Sequence, residues 1–242
     1  MLVHTFGFSL LDGYRVAILL TAALNFFALI PVSLLKTGGA TKRVLRFRLE
    51  SKVLISKFMT VNVFIGFGAG LTIPLFAYFY LLRFRTDSGT FGLLSAAASI
   101  IGGFFFLLGP RLSARWGPLR TIVLTAGASI PLLVLIPLMP SFLFTVPLFI
   151  MRQSLINMIA PLVESTLMGL VKESERATAS GVSQVSWSLP NSLGQPIGGG
   201  IMQSNPNLPP FLTAGFYSVY CVMWAVIFRN VDLRRSFLKT KC

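Results

Sequence analysis

The segment FIMRQSLINMIAPLVESTLMGL, residues 149–170, carries two chargeable side chains, Arg152 and Glu164, in an otherwise largely apolar stretch. In a helix the two lie about 18 Å apart along the axis, so they cannot pair with each other. A guanidinium in such a setting can bind an anionic or polar solute, and a carboxylate can gate a passage or carry a proton. The alternatives are a structural ion pair for each residue or, for Arg152, a position nearer the membrane surface.

Polar residues recur at helical spacing on two segments. In the first, Gln153, Asn157 and Glu164 lie within about 40° of one another on a helical wheel. In the second, four residues at steps of four, three and four form one face: Gln184, Ser188, Asn191 and Gln195. Lipid offers such groups no hydrogen-bond partners, so both faces are expected to turn toward protein or water. The candidate cavity residues are therefore Arg152, Asn157, Gln184, Asn191 and Gln195.

The residue types that most enzymes use are scarce. The chain has one histidine, two cysteines and seven acidic residues, and among the acidic residues only Glu164 lies deep in an apolar run. Neither a phosphate-binding glycine loop nor paired carboxylates nor a metal-ligand spacing is found in the sequence. The pattern argues against an enzyme, a metal centre and a bound cofactor, and against transport driven by ATP.

Composition places the chain in a membrane. Hydrophobic residues make up 54% of the 242 residues and charged residues 12%, and the mean hydropathy is +0.77. A soluble domain usually carries about twice this charge. The apolar residues lie in long runs, and about 20 apolar helical residues cross the hydrocarbon core of a bilayer. The sequence therefore predicts an all-α integral membrane protein.

Seven transmembrane helices are predicted, separated by loops that contain proline, glycine or charged residues. Residues 1–35 hold the first helix, 36–57 form a basic linker, 58–230 form a six-helix bundle and 231–242 form a basic tail. The predicted spans are 16–35, 58–82, 90–110, 118–139, 142–170, 177–202 and 208–230.

The basic residues give a direction to these spans. Seventeen Lys and Arg residues fall in the loops of one side and three on the other. Cytoplasmic loops are enriched in these residues, so the C-terminus is expected to be cytoplasmic. The net charge of +14 follows from the same loops, which face anionic lipid headgroups, and nucleic acid is not an expected partner. An outside N-terminus before an odd number of spans is typical of a chain from which earlier spans are missing.

Small residues form further faces, which are expected to let helix backbones approach closely. Gly66 and Gly70 mark the second span, and GQPIGGG, residues 194–200, ends the sixth. The third span carries a small face of its own, made of Gly92, Ala96, Ser99 and Gly103. Static packing is the expected role of these faces, although glycine together with proline also permits kinks at moving sites.

Two loops carry a resemblance to a known family. GPRLSARWGPLRTIVL, residues 109–124, resembles the second copy of the loop signature of the major facilitator superfamily. KESERATASGVSQV, residues 172–185, resembles the start of that family's eleventh helix. The resemblance implies that the seven spans are the family's helices six to twelve, the C-terminal half plus the preceding helix. It also implies that the second, third, fifth and sixth spans border a central pathway.

The first of these loops departs from the family signature. Ala114 stands where the signature has an aspartate, while Arg115 fits. In the family, this loop forms charge contacts that latch one conformational state, so Glu173 or Glu175 would have to replace the missing acid as the partner of Arg115. Solvated loop charges are the alternative interpretation. The gating or coupling candidates are Glu164, Arg115 and Arg176.

The expected function is secondary active transport, in which a permease moves a small solute, with a proton or another ion, by alternating access. The expected partners are the lipid bilayer, the solute, and an N-terminal half-transporter or a second copy that completes the pathway. The main alternative is a half-transporter that transports nothing and acts as a structural or regulatory membrane subunit. A seven-helix receptor fits the span count, but the basic segment after the first helix and the glycine-rich sixth span argue against it.

Overall fold

The computed structural model describes residues 10–27 and 51–229, and this part of the chain consists of helices and short turns without a strand. Helices satisfy every backbone hydrogen bond within one segment, as lipid requires. The α-helices are α1 Leu10–Phe27, α2 Lys52–Gly70, α3 Phe76–Phe84, α4 Ser88–Trp116, α5 Pro118–Leu138, α6 Phe142–Leu170, α7 Arg176–Ser204 and α8 Leu208–Ile227. Two 3-10 helices, Ile73–Leu75 and Glu173–Glu175, precede α3 and α7. The all-helical prediction is confirmed.

Helices occupy all seven predicted positions, with α2 and α3 sharing the second. Within the described residues, five segments are long and apolar enough to cross a membrane: Lys52–Phe84, Ser88–Trp116, Pro118–Leu138, Phe142–Leu170 and Leu208–Ile227. The 29 residues of α7 are long enough but not among the five, because serine, asparagine and glutamine lower its hydropathy.

Two boundaries differ from the prediction. The second span begins at Lys52, so the last six residues of the predicted linker 36–57 are the first turns of α2. Apolar runs underestimate such a start, because Lys side chains bury their stems and carry their charge to the headgroups. The first helix begins at Leu10, six residues earlier than predicted. Residues 28–50 and the tail from 230 lie outside the described part.

The second span is interrupted between Gly70 and Phe76. Thr72 leaves helical geometry with φ −134°, and Pro74 lies in the 3-10 turn that follows. The hydroxyl of Thr213 on α8 donates to the carbonyl of Gly68 at 2.8 Å and lies 2.8 Å from the hydroxyl of Thr72. These bonds replace backbone pairing that the interruption removes, as a break at bilayer depth requires.

Local signals set the turns that flank α4. The carboxylate of Asp87 accepts hydrogen bonds from the backbone N–H groups of Gly89 and Thr90 at 2.9 and 3.1 Å, and so caps the start of the helix. Gly117 ends it with φ +85°, a conformation that favours glycine, and Pro118 begins α5. The WGP turn thus lets two long helices follow each other directly.

The backbones of α2 and α7 lie in direct contact. A Cβ atom on Gly194 would lie 2.7 Å from the carbonyl oxygen of Phe67. A Cβ atom on Gly66, Gly70 or Gly198 would overlap a backbone carbonyl of the segment it faces. The close backbone approach expected at each of these two glycine segments is confirmed, and only glycine fits there.

The small face predicted on α4 is not a packing face. Gly92 and Gly103 have open space where a side chain would stand. The close approach occurs instead at Gly102 and Gly109, where a Cβ atom would lie 3.2 Å from Asn157 Nδ2 and 2.8 Å from Met158 Cγ. Residues 102 and 109 are two helical turns apart and face α6, whereas the predicted stripe is rotated away from it.

Residues 51–229 lie in one compact unit, and α1 belongs to another. Within the larger unit, α2 packs along α7, α4 along α6, and α5 along α6, while α8 packs against α5 and α2. An aromatic cluster around Phe76, Phe79 and Tyr80 fills one part of the core. A second cluster, around Phe58 and Trp224, fills another.

Candidate functional site

Arg152 is fully buried, with 0% of its surface exposed, between the aromatic rings of two other segments. Its guanidinium carbon lies 5.7 Å from the ring centre of Phe76 and 5.6 Å from that of Tyr217. Nη1 donates to Oε1 of Gln153 at 3.1 Å, and Nη2 donates to the hydroxyl of Tyr217 at 3.0 Å. Nε has no hydrogen-bond partner.

This guanidinium is held by neutral groups alone. Within the described part of the chain, both oxygen atoms that it binds belong to uncharged side chains, and no carboxylate pairs with it. Burial of a charge without a counter-charge costs roughly several kcal/mol. Contacts with aromatic rings and amide groups offset this cost only in part. The structural ion pair considered for Arg152 is therefore not formed by these residues.

A cavity of about 190 Å³ lies next to this arginine, at the interruption of the second span. Gln153, which accepts the hydrogen bond from Arg152, is one of its walls. The cavity is lined by Ile73, Phe76, Phe91, Ser95, Ala98, Ser99, Phe149 and Gln153. It combines an apolar, aromatic wall with a few polar groups, as small-molecule sites usually do. A larger groove of about 270 Å³ is lined by Ser51, Val53, Leu54 and Lys57 at the start of α2, away from these groups.

Asn157 is connected to the same centre through Gln153. Nε2 of Gln153 donates to Oδ1 of Asn157 at 3.2 Å, one helical turn along α6. The amide nitrogen of Asn157 faces Gly102 of α4. A continuous chain of polar side chains thus runs from Tyr217 on α8, through Arg152 and its two neighbours on α6, to the backbone of α4.

The three α7 candidates do not join this centre. Asn191 is buried against α2, where its Nδ2 donates to the carbonyl of Gly66 at 3.2 Å. Gln195 donates to Oδ1 of Asn191 at 3.2 Å, and Gln184 is exposed. None of the three lines the cavity beside Arg152. The spacing placed the three on one helical face but could not show that the glycines of α2 bring a backbone carbonyl up to its middle. Their role in a central cavity stays a prediction.

Glu164 lies where α6 meets α7. Its Oε1 accepts a hydrogen bond of 2.6 Å from the hydroxyl of Ser180, and the residue is half-buried. Within the described helices its recorded partner is thus a neutral hydroxyl and not a cation, so the structural ion pair considered for it is not seen there.

The loop charges do not form the contact considered for Arg115. Arg115 is exposed in the last turn of α4. Oε1 of Glu173 lies 3.9 Å from Nη1 of Arg176, whose Nε also donates to the carbonyl of Met168 at 3.0 Å. Glu175 is buried, and its Oε2 accepts from the backbone N–H of Ser51 at 3.3 Å. In the described part of the chain, neither glutamate is paired with Arg115.

Sequence reasoning missed Tyr217, Ser95 and the cavity role of Ser99. Tyr217 lies in the run FYSVYCVMW, where nothing distinguishes it from Tyr220. Ser95 lies one helical turn before Ser99, and this pair of hydroxyls was the available signal for a wet face on α4.

A family comparison identifies the fold. The model of the Major Facilitator Superfamily matches residues 1–195 and, in a second match, residues 58–240. The chain belongs to the major facilitator superfamily. Comparison with curated proteins gave no match. Members of this superfamily are transporters of small solutes and not enzymes, so the protein is a major facilitator transporter.

Membership in the superfamily also shows that the helices lie in a membrane. Several apolar helices in a major facilitator chain make this an integral, multi-pass membrane protein in contact with the lipid bilayer. Exposed side chains such as Leu93, Phe104 and Leu143 therefore face lipid or another part of the transporter. The resemblance drawn from the loops at 109–124 and 172–185 is confirmed at the level of the superfamily.

Proposed function

We propose that this protein is a secondary active transporter that moves a small solute by alternating access, and that the cavity between α3, α4 and α6 is its solute site. The observation that carries the proposal is the position of this cavity, where a broken span meets a polar wall. Discontinuous helices at bilayer depth form the binding sites of many secondary transporters, because the interruption exposes groups that bind solute and also allows movement.

The helices from α2 to α8 act as one of two bundles. α2 and α3 form a single interrupted span, so this unit contains the six spans of one half of such a transporter. The second bundle is supplied by an N-terminal half or by a second copy of the chain. A solute in the cavity then lies between the two bundles, and rocking of one against the other exposes it to each side in turn.

The seam between α6 and α7 is where Glu164 couples this movement to an ion. These two helices touch much less than α2 touches α7 or α4 touches α6. The hydrogen bond from Ser180 to Glu164 bridges the seam, so its formation depends on how far the helices are apart. Protonation of the carboxylate changes what that bridge contributes, which links a proton to the movement.

The orientation follows from the loop charges. The ends of the spans that carry most of the Lys and Arg residues face the cytoplasm, and the C-terminus lies on that side. Arg115, in the last turn of α4, and Arg176, the first residue of α7, lie at the ends that must separate and close during the cycle. A reporter domain fused after residue 242 should be protected in intact cells, and access to it from outside would reverse the assignment.

Cysteine labelling tests the cavity with a matched pair of adjacent residues. Ser99 lines the cavity, while Ile100 is 68% exposed on the outer surface of α4. In a background without native cysteines, Ser99→Cys should react with a water-soluble thiol reagent in membranes, and Ile100→Cys should not. The reaction at position 99 should also depend on the side from which the reagent is applied. Equal reactivity of the two variants would show that the cavity is not an aqueous site.

The size of the purified particle separates transport from a purely structural role. A single six-helix bundle cannot alternate access by itself, so a transporting particle must contain a second bundle. A particle that holds one copy of this chain and no other subunit would favour the non-transporting half-transporter.

A further inference from the structure

We infer that the solute of this site is a small organic monoanion, whose carboxylate binds Arg152 and whose compact apolar body lies against Phe76, Phe91 and Phe149. This inference rests on the proposed function, because it assigns a substrate class to the same cavity. Three independent features carry it: the uncompensated charge of Arg152, the walls that the guanidinium shares with the cavity, and the composition of the remaining lining.

The charge of Arg152 needs an anion that the described helices do not supply. Arginine keeps its charge in proteins and offers five N–H donors. Two of them bind the neutral oxygen atoms of Gln153 and Tyr217, and Nε binds nothing. The partly unsatisfied fork is shaped for a carboxylate, which guanidinium groups bind through two parallel hydrogen bonds.

The guanidinium and the cavity share two walls. Phe76 lines the cavity and lies 5.7 Å from the guanidinium carbon. Gln153 lines the cavity and accepts the bond from Nη1. In the inferred binding mode a change in the rotamer of Gln153 opens the charge to a bound solute without moving α6, while Phe76 stays in the aromatic cluster. An incoming carboxylate takes over the Nη1 donor from Gln153, whose amide keeps Asn157 as a partner.

The other residues that line the cavity determine the size and polarity of the rest of the solute. Three phenylalanine rings form the apolar wall, and Ser95 and Ser99 provide the hydroxyl groups. The volume is about 190 Å³, and an apolar cavity of about 150 Å³ in another protein holds benzene. The part of the solute that this bundle holds is thus about the size of one six-membered ring.

A single negative charge fits this site better than two. Arg152 is the one cation adjoining the cavity among the described residues, since no lysine, histidine or other arginine lines it. A second anionic group would lie without a counter-charge at bilayer depth, which is costly. Phosphate esters and dicarboxylates are therefore poorer ligands than monocarboxylates.

Benzoate and its neutral isostere benzamide test the inference by binding. Titration calorimetry on the purified full chain should show binding of benzoate and at least about tenfold weaker binding of benzamide and phthalate. Arg152→Gln should weaken benzoate about 30-fold or more and leave benzamide unchanged. Arg120→Gln, a change at an exposed arginine, is the matched control and should leave benzoate binding as it was.

Arg152→Lys keeps the positive charge but lacks the planar guanidinium group. This variant serves as the second test if Arg152→Gln does not fold. It should weaken benzoate less than Arg152→Gln does and keep the preference over benzamide. Equal binding of benzoate and benzamide by the unmodified chain would overturn the inference, as would absence of benzoate binding or full benzoate affinity in Arg152→Gln.

The two proposals fail in different experiments. Arginine-dependent benzoate binding combined with equal labelling at positions 99 and 100 would leave the anion site and remove the aqueous transport route. Labelling at position 99 that is blocked by benzamide as well as by benzoate would leave the route and remove the anion selectivity.

Discussion

The hydroxyl of Tyr217 on α8 accepts a hydrogen bond of 3.0 Å from Nη2 of Arg152 on α6, across 65 positions of the chain. The ring of the same tyrosine lies 5.6 Å from the guanidinium carbon. One side chain thus both faces the charge with its ring and accepts a hydrogen bond from it. Tyr217 fixes the direction of the guanidinium, whose Nε has no hydrogen-bond partner and whose Nη1 donates to Gln153.

Tyr217→Phe removes the hydrogen bond and keeps the ring. We expect a loss of about 1–2 kcal/mol in the free energy of unfolding, because a buried charged donor loses its acceptor. Thermal unfolding in detergent measures the effect. Tyr78→Phe is the matched control, since Tyr78 is half-buried on α3 with no recorded hydrogen bond. Equal stability of the two variants would mean that the bond contributes nothing.

Gly194→Ala tests the contact of α2 with α7. The added methyl group would lie 2.7 Å from the carbonyl oxygen of Phe67, and the two backbones must separate to admit it. We expect destabilisation of about 1–3 kcal/mol in chemical unfolding. Gly103→Ala is the control, because nothing lies within 4 Å of its Cβ position. It should be neutral or stabilising by about 0.5–1 kcal/mol, as for an open helical glycine. Similar losses at both positions would contradict the packing described.

The lowered pKa of Asp87 predicts that this residue stabilises the folded protein less in acid. Hydrogen bonds from the side chain and then the backbone of Thr90 hold the pKa of this carboxyl below its ordinary value of 3.8. A lowered folded-state pKa means that the contribution is complete above the ordinary value and is lost as the pH falls through the lowered one. Asp87→Asn keeps the cap but does not titrate, so its unfolding temperature should fall less below about pH 4. Parallel acid curves for the two proteins would refute the assignment.

Glu164→Gln separates proton coupling from packing. Glutamine retains an oxygen that can accept from Ser180 but cannot bind a proton, so the variant should fold and lose its proton dependence. A pH-sensitive dye trapped inside proteoliposomes would report proton movement during benzoate uptake. Glu173→Gln, whose side chain is 91% exposed in the wild type, should behave like the unmodified protein. Proton movement that survives in Glu164→Gln would remove this residue from the coupling mechanism.

The sequence predicted the bounds of the helices better than it predicted which helices pack against each other. Residues 142–170 were predicted and observed as one helix, because the long apolar run is preceded by the turn residues MPS and followed by the charged residues KESER. The glycines were harder to interpret, because spacing reveals a small face but not what packs against it. Gly66 and Gly103 both belong to such faces, yet only the first touches another backbone.

In the candidate site, too, helical spacing predicted contacts within one helix but not contacts between helices. The bond between Gln153 and Asn157 follows from their spacing of four residues within α6, whereas the burial of Arg152 was one of several alternatives that the sequence left open. The contact of Arg152 with Tyr217 depends on the packing of α8, which no periodicity within either helix encodes. The contact of Asn191 was not predictable for a similar reason: a glycine on α2 brings up a backbone carbonyl that the asparagine binds, and Asn191 does not line the cavity beside Arg152.

The direct backbone contact of α2 with α7 also determines which positions of the bundle tolerate substitution. At Gly66, Gly70 and Gly194 there is no layer of side chains that could adjust to a replacement, so this pair of helices must keep its residues for the chain to assemble. The wall formed by Ser95 and Ser99 bears no such restriction, since these two side chains border the cavity and are not packed in the core. New solute preferences can therefore arise, in evolution or in the laboratory, by exchange of a few residues on α4 and α6 while the opposite pair stays constant.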